Sequence, residues 1–243
     1  MRLPRHVVTF GLGMLAGSAL LAGAFALPAV TSQGINYRVQ GIRVPLAVKW
    51  LELLDRDYWF ARLAHEVTAG RPSAEAKALA LFEWTTTHIR TDRPADWPIV
   101  DDHIWHTVIR GYGTYDQCAD VLATLCSYAG LPAAAVRVTA PSKPEVWLTL
   151  VMVSWDAAWH PFDPYHRVVV WNGAHHVASL DDIARSPGLL DAASRVPPFH
   201  GVAYRDLLGQ AREPAPEERR RPYQQHPWRR AHYEVMRWLM GIS

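Results

Sequence analysis

The sequence predicts an α+β domain in which helices come first and an antiparallel sheet follows. Apolar residues recur at helical spacing over much of the chain from Pro45 to Ala129. From Ala134 onward, the spacing changes to the alternation that is typical of strands. One apolar segment, Asp116 to Ala129, stands between the two halves. We therefore expect it to be a buried helix at their junction.

The composition is that of a folded domain with few special chemical features. Of 243 residues, 49% are hydrophobic and 20% are charged, which excludes a disordered chain. The 25 basic and 23 acidic residues nearly balance, so no nucleic-acid partner is expected. Two cysteines are too few for a disulfide framework or a cysteine-rich zinc module. No cofactor is expected.

Residues 1–31 have the character of a signal peptide or membrane anchor. From Val7 to about Thr31 the chain has no Asp, Glu, Lys or Arg, and about 20 residues in a helix suffice to cross a bilayer. Arg2 and Arg5 precede this run, so the positive-inside rule keeps the N-terminus in the cytoplasm and exports the rest of the chain. Ala24-Phe25-Ala26 has the form of a signal-peptidase site. We expect an exported, periplasmic domain tethered to the inner membrane by this helix, with cleavage as the alternative.

Several helices are predicted in the first half of the chain. The first two run from Pro45 to Asp55 and from Tyr58 to Thr68. A longer helix begins after Ser73, which suits an N-cap. The proline-containing segment 93–98 breaks the pattern, and a short helix is expected between Ile99 and Ile109.

The second half carries the strand signals. Asn172-Gly173 is a strong turn signal, so Arg167–Trp171 should form a hairpin with Ala174–Ala178. The predicted strands are Ala134–Val138, Val146–Val153, Ala158–Phe162 and Val168–Trp171.

The C-terminal part is predicted to be a linker followed by a helix. Residues 211–227 are charged and proline-rich, which favours a mobile linker. Residues 228–243 form a basic amphipathic helix that could dock on the domain, lie on a membrane or bind a partner, and docking is the default. The predicted divisions are 1–31 (signal or anchor), 32–72 (helical lead-in), 73–210 (main domain), 211–227 (linker) and 228–243 (terminal helix).

Cys118 is the residue most suited to chemistry. It follows a loop containing Gly111 and Gly113 and lies in the first turn of the junction helix. Unpaired N–H groups and the helix dipole favour a thiolate there, as a nucleophile requires. The alternative is simple burial of a small apolar side chain. Cys126 lies about 12 Å farther along the same helix, too far for a disulfide, so both are expected to be free thiols.

The stretch from Gly111 to Pro164 resembles the transglutaminase-like superfamily, whose fold is that of papain-like cysteine peptidases. The resemblance is carried by motifs in a fixed order and at matching spacings. These are Cys118-x-Asp120, Ala129-Gly130-Leu131-Pro132-Ala133, the strand Ala135-Val136-Arg137-Val138, Val146-Trp147, and Trp159-His160-Pro161-Phe162-Asp163-Pro164. The resemblance implies a Cys-His-Asp triad with Cys118 as nucleophile and Asp163 orienting the base.

The histidine of that triad is missing from its expected position. The family carries it two residues before the strand tryptophan Trp147, and this chain has Glu145 there. Proton transfer from a thiol to a glutamate is uphill by about four pK units, or about 5.7 kcal/mol. A nearby carboxylate would also raise the pKa of the thiol. Glu145 is therefore a poor substitute for the base.

Other histidines are weaker candidates for that role. His160 lies three residues before Asp163, so alternation along a regular strand puts their side chains on opposite faces. His166 follows the strand, and His175-His176 follows the hairpin turn. Each of these is more often a packed or surface histidine than a displaced base.

A metal site is not favoured by the histidine spacing. His103 and His106 share a helix face and could bind zinc with a third ligand. No partner is evident nearby and the H-E-x-x-H motif is absent, so a structural role is more frequent.

Two functions fit these observations. In the first, Cys118 attacks an amide or acyl carbonyl of a peptide or protein, and its backbone N–H helps to hold the oxyanion. In the second, the domain is catalytically degenerate but retains the substrate groove, in which it binds a peptide or glycan of the cell envelope. The groove residues are expected to be Tyr115, Trp147 and Trp159. The membrane is a further expected partner through residues 1–31.

Overall fold

A computed structural model of the protein describes residues 14, 17–19, 22, 23, 25–35, 38–92 and 103–240. The prediction of an α+β fold with helices and an antiparallel sheet is confirmed. Most of the predicted signal or anchor segment, 1–31, lies outside the described residues. Within the ranges given above, no helix combines the length and apolar character that crossing a bilayer requires.

The segment before the first long helix is a β-hairpin. Strand β1 (Pro28–Ile35) pairs antiparallel with β2 (Arg38–Pro45). The helical lead-in predicted from residue 32 is wrong over this part, because it overlooked a sequence rich in Val, Ile and Thr, which favour strands. The backbone N–H of Leu46 donates to the carbonyl oxygen of Leu27 at 2.8 Å, which holds the start of β1 beside the first helix.

Four helices form the next layer. The two helices predicted between Pro45 and Thr68 are one continuous helix, because no Gly or Pro interrupts them. The predicted cap is present, since the Ser73 hydroxyl oxygen accepts from the Ala76 N–H at 3.1 Å. The helices are α1 (Leu46–Thr68), α2 (Ala74–His88), α3 (Ile104–Arg110) and α4 (Tyr115–Tyr128).

The main sheet has four antiparallel strands in sequential order. They are β3 (Ala133–Ala140), β4 (Lys143–Trp155), β5 (Ala158–Asp163) and β6 (Val168–Val169). The hairpin predicted at Asn172-Gly173 is reduced to an isolated bridge between Trp171 and Val177. Asn172 organises this turn instead, because its side-chain oxygen accepts from the N–H groups of Ala174 and His176.

The two faces of the sheet pack against different layers. Val151 and Val153 of β4 join the core that contains α4, as the sequence predicted for the junction helix. Leu150 and Met152 alternate with them and pack into the core on the other face. That second core is covered by α5 (Leu180–Arg185), a 3₁₀ helix (Pro187–Arg195) and α6 (Tyr204–Leu208).

The C-terminal segment packs on α4 rather than forming a mobile linker. It contains α7 (Pro216–Arg220), a 3₁₀ turn (Pro222–Gln225) and α8 (Pro227–Leu239). Arg221 pairs with Asp120 at 2.6 Å, and the Tyr128 hydroxyl donates to the Gln225 carbonyl oxygen at 2.9 Å. The linker prediction is wrong because the prolines begin short helices, a position they favour, and several of the charges are paired.

Candidate functional site

The loop before α4 places Cys118. Helix α3 ends at Gly111, which has a left-handed φ of 70°. At Gly113, an added Cβ would lie 3.0 Å from the Thr107 Cγ2 atom and 3.2 Å from the Gln117 Cβ atom. Glycine at this position therefore lets the chain pass close to both helices and enter α4 directly.

The Cys118 thiol is closed off from solvent. The residue is 1% exposed, and its Sγ lies 3.7 Å from the Gly113 carbonyl oxygen. Its backbone N–H donates to the Thr114 carbonyl oxygen at 2.9 Å within the helix. The expectation that this N–H would hold an oxyanion is wrong in this conformation, because the group is already used.

The surroundings of Cys118 favour the neutral thiol. Burial, together with the carboxylates of Asp163 and Asp116, raises the pKa of Cys118 to about 12, although Arg110 acts in the opposite direction. The N–H groups at the start of the helix do little to stabilise a thiolate, since the Asp116 carboxylate already accepts from the N–H of Gln117. The thiolate expected from the position of Cys118 is therefore disfavoured.

Cys126 is a second buried free thiol. It lies on the same helix and contributes to the core around α4. Burial alone raises the pKa of Cys126 above the ordinary range. Its expected role in packing agrees with this environment.

Asp163 is the centre of a buried hydrogen-bond network. Its Oδ1 accepts from the backbone N–H groups of Tyr165 and His166 at 2.9 and 3.0 Å. Its Oδ2 lies 2.7 Å from His166 Nδ1 and 2.7 Å from the Tyr204 hydroxyl oxygen. Asp163 is fully buried, so these four donors replace water around the carboxylate.

His166 therefore occupies the place beside Asp163 that the resemblance reserves for the base. His166 donates its Nδ1–H to the Asp163 carboxylate, so the lone pair of the ring lies at Nε2 on the opposite side. Nε2 makes no hydrogen bond with the described part of the chain. Its side chain is 14% exposed. Its ring contacts those of Tyr165, Phe199 and Tyr204.

An aromatic cluster links this pair to the start of α4. Tyr115 contacts Trp147, Tyr165 and Phe199, with ring centroids 4.7, 6.0 and 5.5 Å apart. Tyr165 also lies within electrostatic range of the thiol, because a Cys118 thiolate and the Asp163 carboxylate both raise the pKa of Tyr165, although burial is the larger cause. Cys118 and Asp163 are thus neighbours in one electrostatic environment.

Glu145 lies at the expected histidine position but is not part of that network. Its side chain is exposed on β4. It makes no hydrogen bond or ion pair with the residues that the structure describes. Its place on the strand, two residues before Trp147, brings it to a groove instead.

That groove is open and mixed in charge. Its volume is about 530 Å³. Tyr115 and Trp147, two of the three predicted groove residues, are in its wall. Trp159, the third predicted groove residue, packs elsewhere, beneath the Arg219 guanidinium at 5.1 Å. The full lining is Tyr115, Lys143, Glu145, Val146, Trp147 and His200.

His160 is held away from Asp163. Its ring stacks on Trp155 with centroids 3.5 Å apart, and its Nδ1 donates to the Val177 carbonyl oxygen at 3.1 Å. Its strand partner Val153 faces the α4 core, whereas Asp163 bonds Tyr204 of the opposite core. Burial also lowers the pKa of His160. The alternation argument that separated His160 from Asp163 agrees with this arrangement.

The remaining candidate histidines have local structural contacts. His176 pairs with Glu75 at 2.8 Å, and His175 is exposed. His103 accepts from the Trp105 N–H as the cap of α3, and its ring lies 5.4 Å from that of His106. Among the described residues, no group of three or more metal-ligating side chains comes together.

The sequence did not distinguish His166 from the other candidate histidines, and it did not indicate Tyr204 as a site residue. The sequence did contain a signal for His166, since an aspartate at the end of a strand often accepts from N–H groups two and three residues later. That turn brings residue 166 back to Asp163. No comparable signal exists for Tyr204, which lies 41 residues farther along the chain.

Similarity to known proteins points to one superfamily. Residues 61–164 match the Transglutaminase-like superfamily. None of the curated proteins matches this chain significantly.

Among solved structures, a proposed cysteine protease from Cytophaga hutchinsonii is 16% identical, with a TM-score of 0.39, covering 54% of this chain and 44% of that chain. A proposed protease from Parabacteroides distasonis is 12% identical, with a TM-score of 0.37, covering 55% and 35%. A TGase is 15% identical, with a TM-score of 0.39, covering 67% and 50%. This chain therefore spans half or less of the length of each of them.

The matched segment begins within α1 and ends directly after Asp163, so it contains Cys118, Glu145 and Asp163. Over residues 61–164, this chain is therefore similar to the transglutaminase-like superfamily.

Proposed function

We propose that this protein is an exported, non-catalytic transglutaminase-like domain that binds a peptide or glycan of the cell envelope. The observation that carries the proposal is the closed environment of Cys118, which is 1% exposed and has a pKa raised to about 12. A cysteine nucleophile must be ionised and must be accessible to the substrate, and Cys118 meets neither requirement in this conformation.

The groove beside the closed thiol supports the binding role. Tyr115 and Trp147 provide aromatic surface, and Lys143 and Glu145 provide charges of opposite sign. Lys143 donates to the His200 carbonyl oxygen at 3.0 Å, which steadies one wall. Glu145 makes no hydrogen bond or ion pair with the described residues, so its carboxylate is available to an amino or hydroxyl group of a ligand.

Sedimentation with purified peptidoglycan sacculi tests this proposal. Detergent-solubilised full-length protein should sediment with sacculi, and Glu145→Gln and Lys143→Gln should both weaken sedimentation. Glu217→Gln is the matched control, since Glu217 is an exposed glutamate on α7. Sacculi stripped of their peptides separate glycan binding from peptide binding. Absence of sedimentation with both preparations would contradict the proposal.

A second candidate is a cysteine enzyme that uses His166 as its base. It is favoured by the 2.7 Å contact between Asp163 Oδ2 and His166 Nδ1. In this reaction, the Cys118 proton passes to His166 Nε2 while the sulfur bonds to an acyl carbon. The leaving amine then takes that proton, and water or another amine releases the acyl group from the thioester.

The two candidates differ in one measurable product. An enzyme should form a thioester on Cys118 that hydroxylamine cleaves, and Cys118→Ser should abolish turnover of an amide substrate. The binding domain should form no such adduct, and Cys118→Ser should sediment with sacculi as the original protein does. A hydroxylamine-sensitive adduct at Cys118 would favour the enzyme.

A further inference from the structure

Helix α8 presents its apolar side to solvent. Trp228, Val235 and Leu239 are 78%, 55% and 64% exposed, and their spacing places them on one helix face. The default expectation was that this face would dock on the domain. The helix does contact α1 and the 3₁₀ turn before it, but within the described part of the chain nothing covers these three side chains.

Helix α1 continues the apolar surface. Leu51, Leu54 and Tyr58 follow each other at helical spacing, and all three are exposed. Helices α1 and α8 pack against each other. A soluble domain rarely leaves two neighbouring helices with large apolar side chains outside.

The charges near this surface fit an anionic partner. Arg229 is exposed on α8 and stacks on the Tyr223 ring at 4.2 Å, and Arg230 beside it is partly exposed. The sequence adds Arg237 to the same helix, against a single acidic residue, Glu234. An amphipathic helix with arginines beside a Trp-containing apolar face is typical of binding at a lipid interface.

The start of the domain lies beside the same helix. The Leu27 carbonyl oxygen accepts from the Leu46 N–H at 2.8 Å, so the part of the uncharged run that precedes β1 ends next to the N-terminus of α1. A run embedded in a bilayer would therefore hold α1 near the membrane surface.

We infer that α8 and the exposed stripe of α1 form a surface that binds an anionic lipid bilayer. The apolar side chains enter the interface while Arg229 and Arg230 meet the lipid headgroups. This surface is separate from the groove at Glu145 and does not depend on the ligand proposed there.

A reporter on α8 tests this inference in the full-length protein. The N-terminal run could itself hold the protein on vesicles, so simple co-sedimentation is not informative. Val235→Cys can carry a polarity-sensitive dye, because the native Cys118 and Cys126 are buried. With vesicles of phosphatidylcholine and phosphatidylglycerol, the dye emission should shift to the blue and brominated lipid should quench it. A dye at Glu217→Cys on α7 is the matched control and should change much less.

Charge and salt identify the anionic lipid. Phosphatidylcholine vesicles alone should give a weak response at position 235. Arg229→Gln with Arg230→Gln should weaken the response to anionic vesicles about 10- to 30-fold. Added salt should reduce it in the original protein and less in the double variant.

Three results would overturn the inference. The dye at position 235 could show no quenching by brominated lipid in either kind of vesicle. The dye could instead be shielded from water without vesicles and become exposed on dilution, which would mean that a second copy of the chain covers the surface. Shielding that survives dilution identifies coverage by the N-terminal segment.

Discussion

The Tyr204 hydroxyl donates to the Oδ2 atom of Asp163 across 2.7 Å, joining α6 to the end of β5. The same oxygen accepts from His166 Nδ1. Burial and the Asp163 carboxylate raise the pKa of Tyr204, so the hydroxyl remains a donor. The triad aspartate of the superfamily resemblance is thus also a structural link between the two sides of the sheet.

Tyr204→Phe should destabilise the fold. The change removes one donor from a buried carboxylate and leaves the aromatic ring, so we expect a loss of about 1.5–3 kcal/mol in the free energy of unfolding. Tyr233→Phe is the control, since its hydroxyl makes no hydrogen bond with the described residues and its ring is partly exposed. Urea denaturation of both variants measures the difference. Equal stability of Tyr204→Phe and the original protein would contradict the hydrogen bond.

Cys118 should resist alkylation until the protein unfolds. A pKa of about 12 leaves about one thiol in ten thousand ionised at pH 8, and burial limits access of the reagent. Iodoacetamide should therefore label Cys118 at least about a hundredfold more slowly than a free cysteine. Peptide mass spectrometry separates it from Cys126.

Denatured protein is the control for this measurement. Both thiols should react at the rate of an ordinary cysteine in concentrated urea, because the shielding is lost. Labelling of folded Cys118 with a midpoint near pH 8.5 or lower would contradict the closed site and favour the enzyme.

The elements next to the site were predictable because each has a local cause. Gly111 ends α3 in a left-handed conformation, and Gly130 follows the end of α4 with φ of 79°. Apolar spacing between these glycines indicates a helix, and alternation after Pro132 indicates strands. These signals therefore placed Cys118 near the beginning of a buried helix.

The protonation state of Cys118 was not predictable from its position. The helix end favours a thiolate, yet burial and the nearby Asp163 outweigh that effect. Burial is set by packing against the sheet, which is distant in sequence. The contact of Arg221 with Asp120 was missed for the same reason, because it joins residues 101 positions apart.

Asp120→Asn should stabilise the protein at neutral pH. Burial raises the pKa of Asp120 to about 6 despite the opposing effect of Arg221. In the unfolded chain the pKa is about 3.9. Above pH 6 the buried charge therefore carries a penalty, and it is relieved as the folded protein takes up a proton between pH 6 and about 4. Asn removes the penalty, so we expect a gain of about 1–3 kcal/mol near pH 7.5.

The pH dependence distinguishes this cause from a general effect of the substitution. The gain from Asp120→Asn should shrink toward zero near pH 4, where Asp120 is neutral in the folded state. Asp156→Asn, in the exposed turn after β4, should change stability little at either pH. Urea denaturation at pH 7.5, 6 and 4 provides the measurement. A gain of equal size at all three would contradict the buried charge.

Glu145→His should restore the residue that the superfamily resemblance expects on β4. An imidazolium close to Cys118 would favour the thiolate and lower its pKa by about 1–3 units, while the change also removes a carboxylate from the groove. Glu145→Gln is the control, because it removes the charge without supplying a base. Alkylation rates across pH measure both variants. An unchanged midpoint in Glu145→His would mean that position 145 does not face the thiol, whereas a midpoint lowered equally in both variants would assign the effect to charge removal alone.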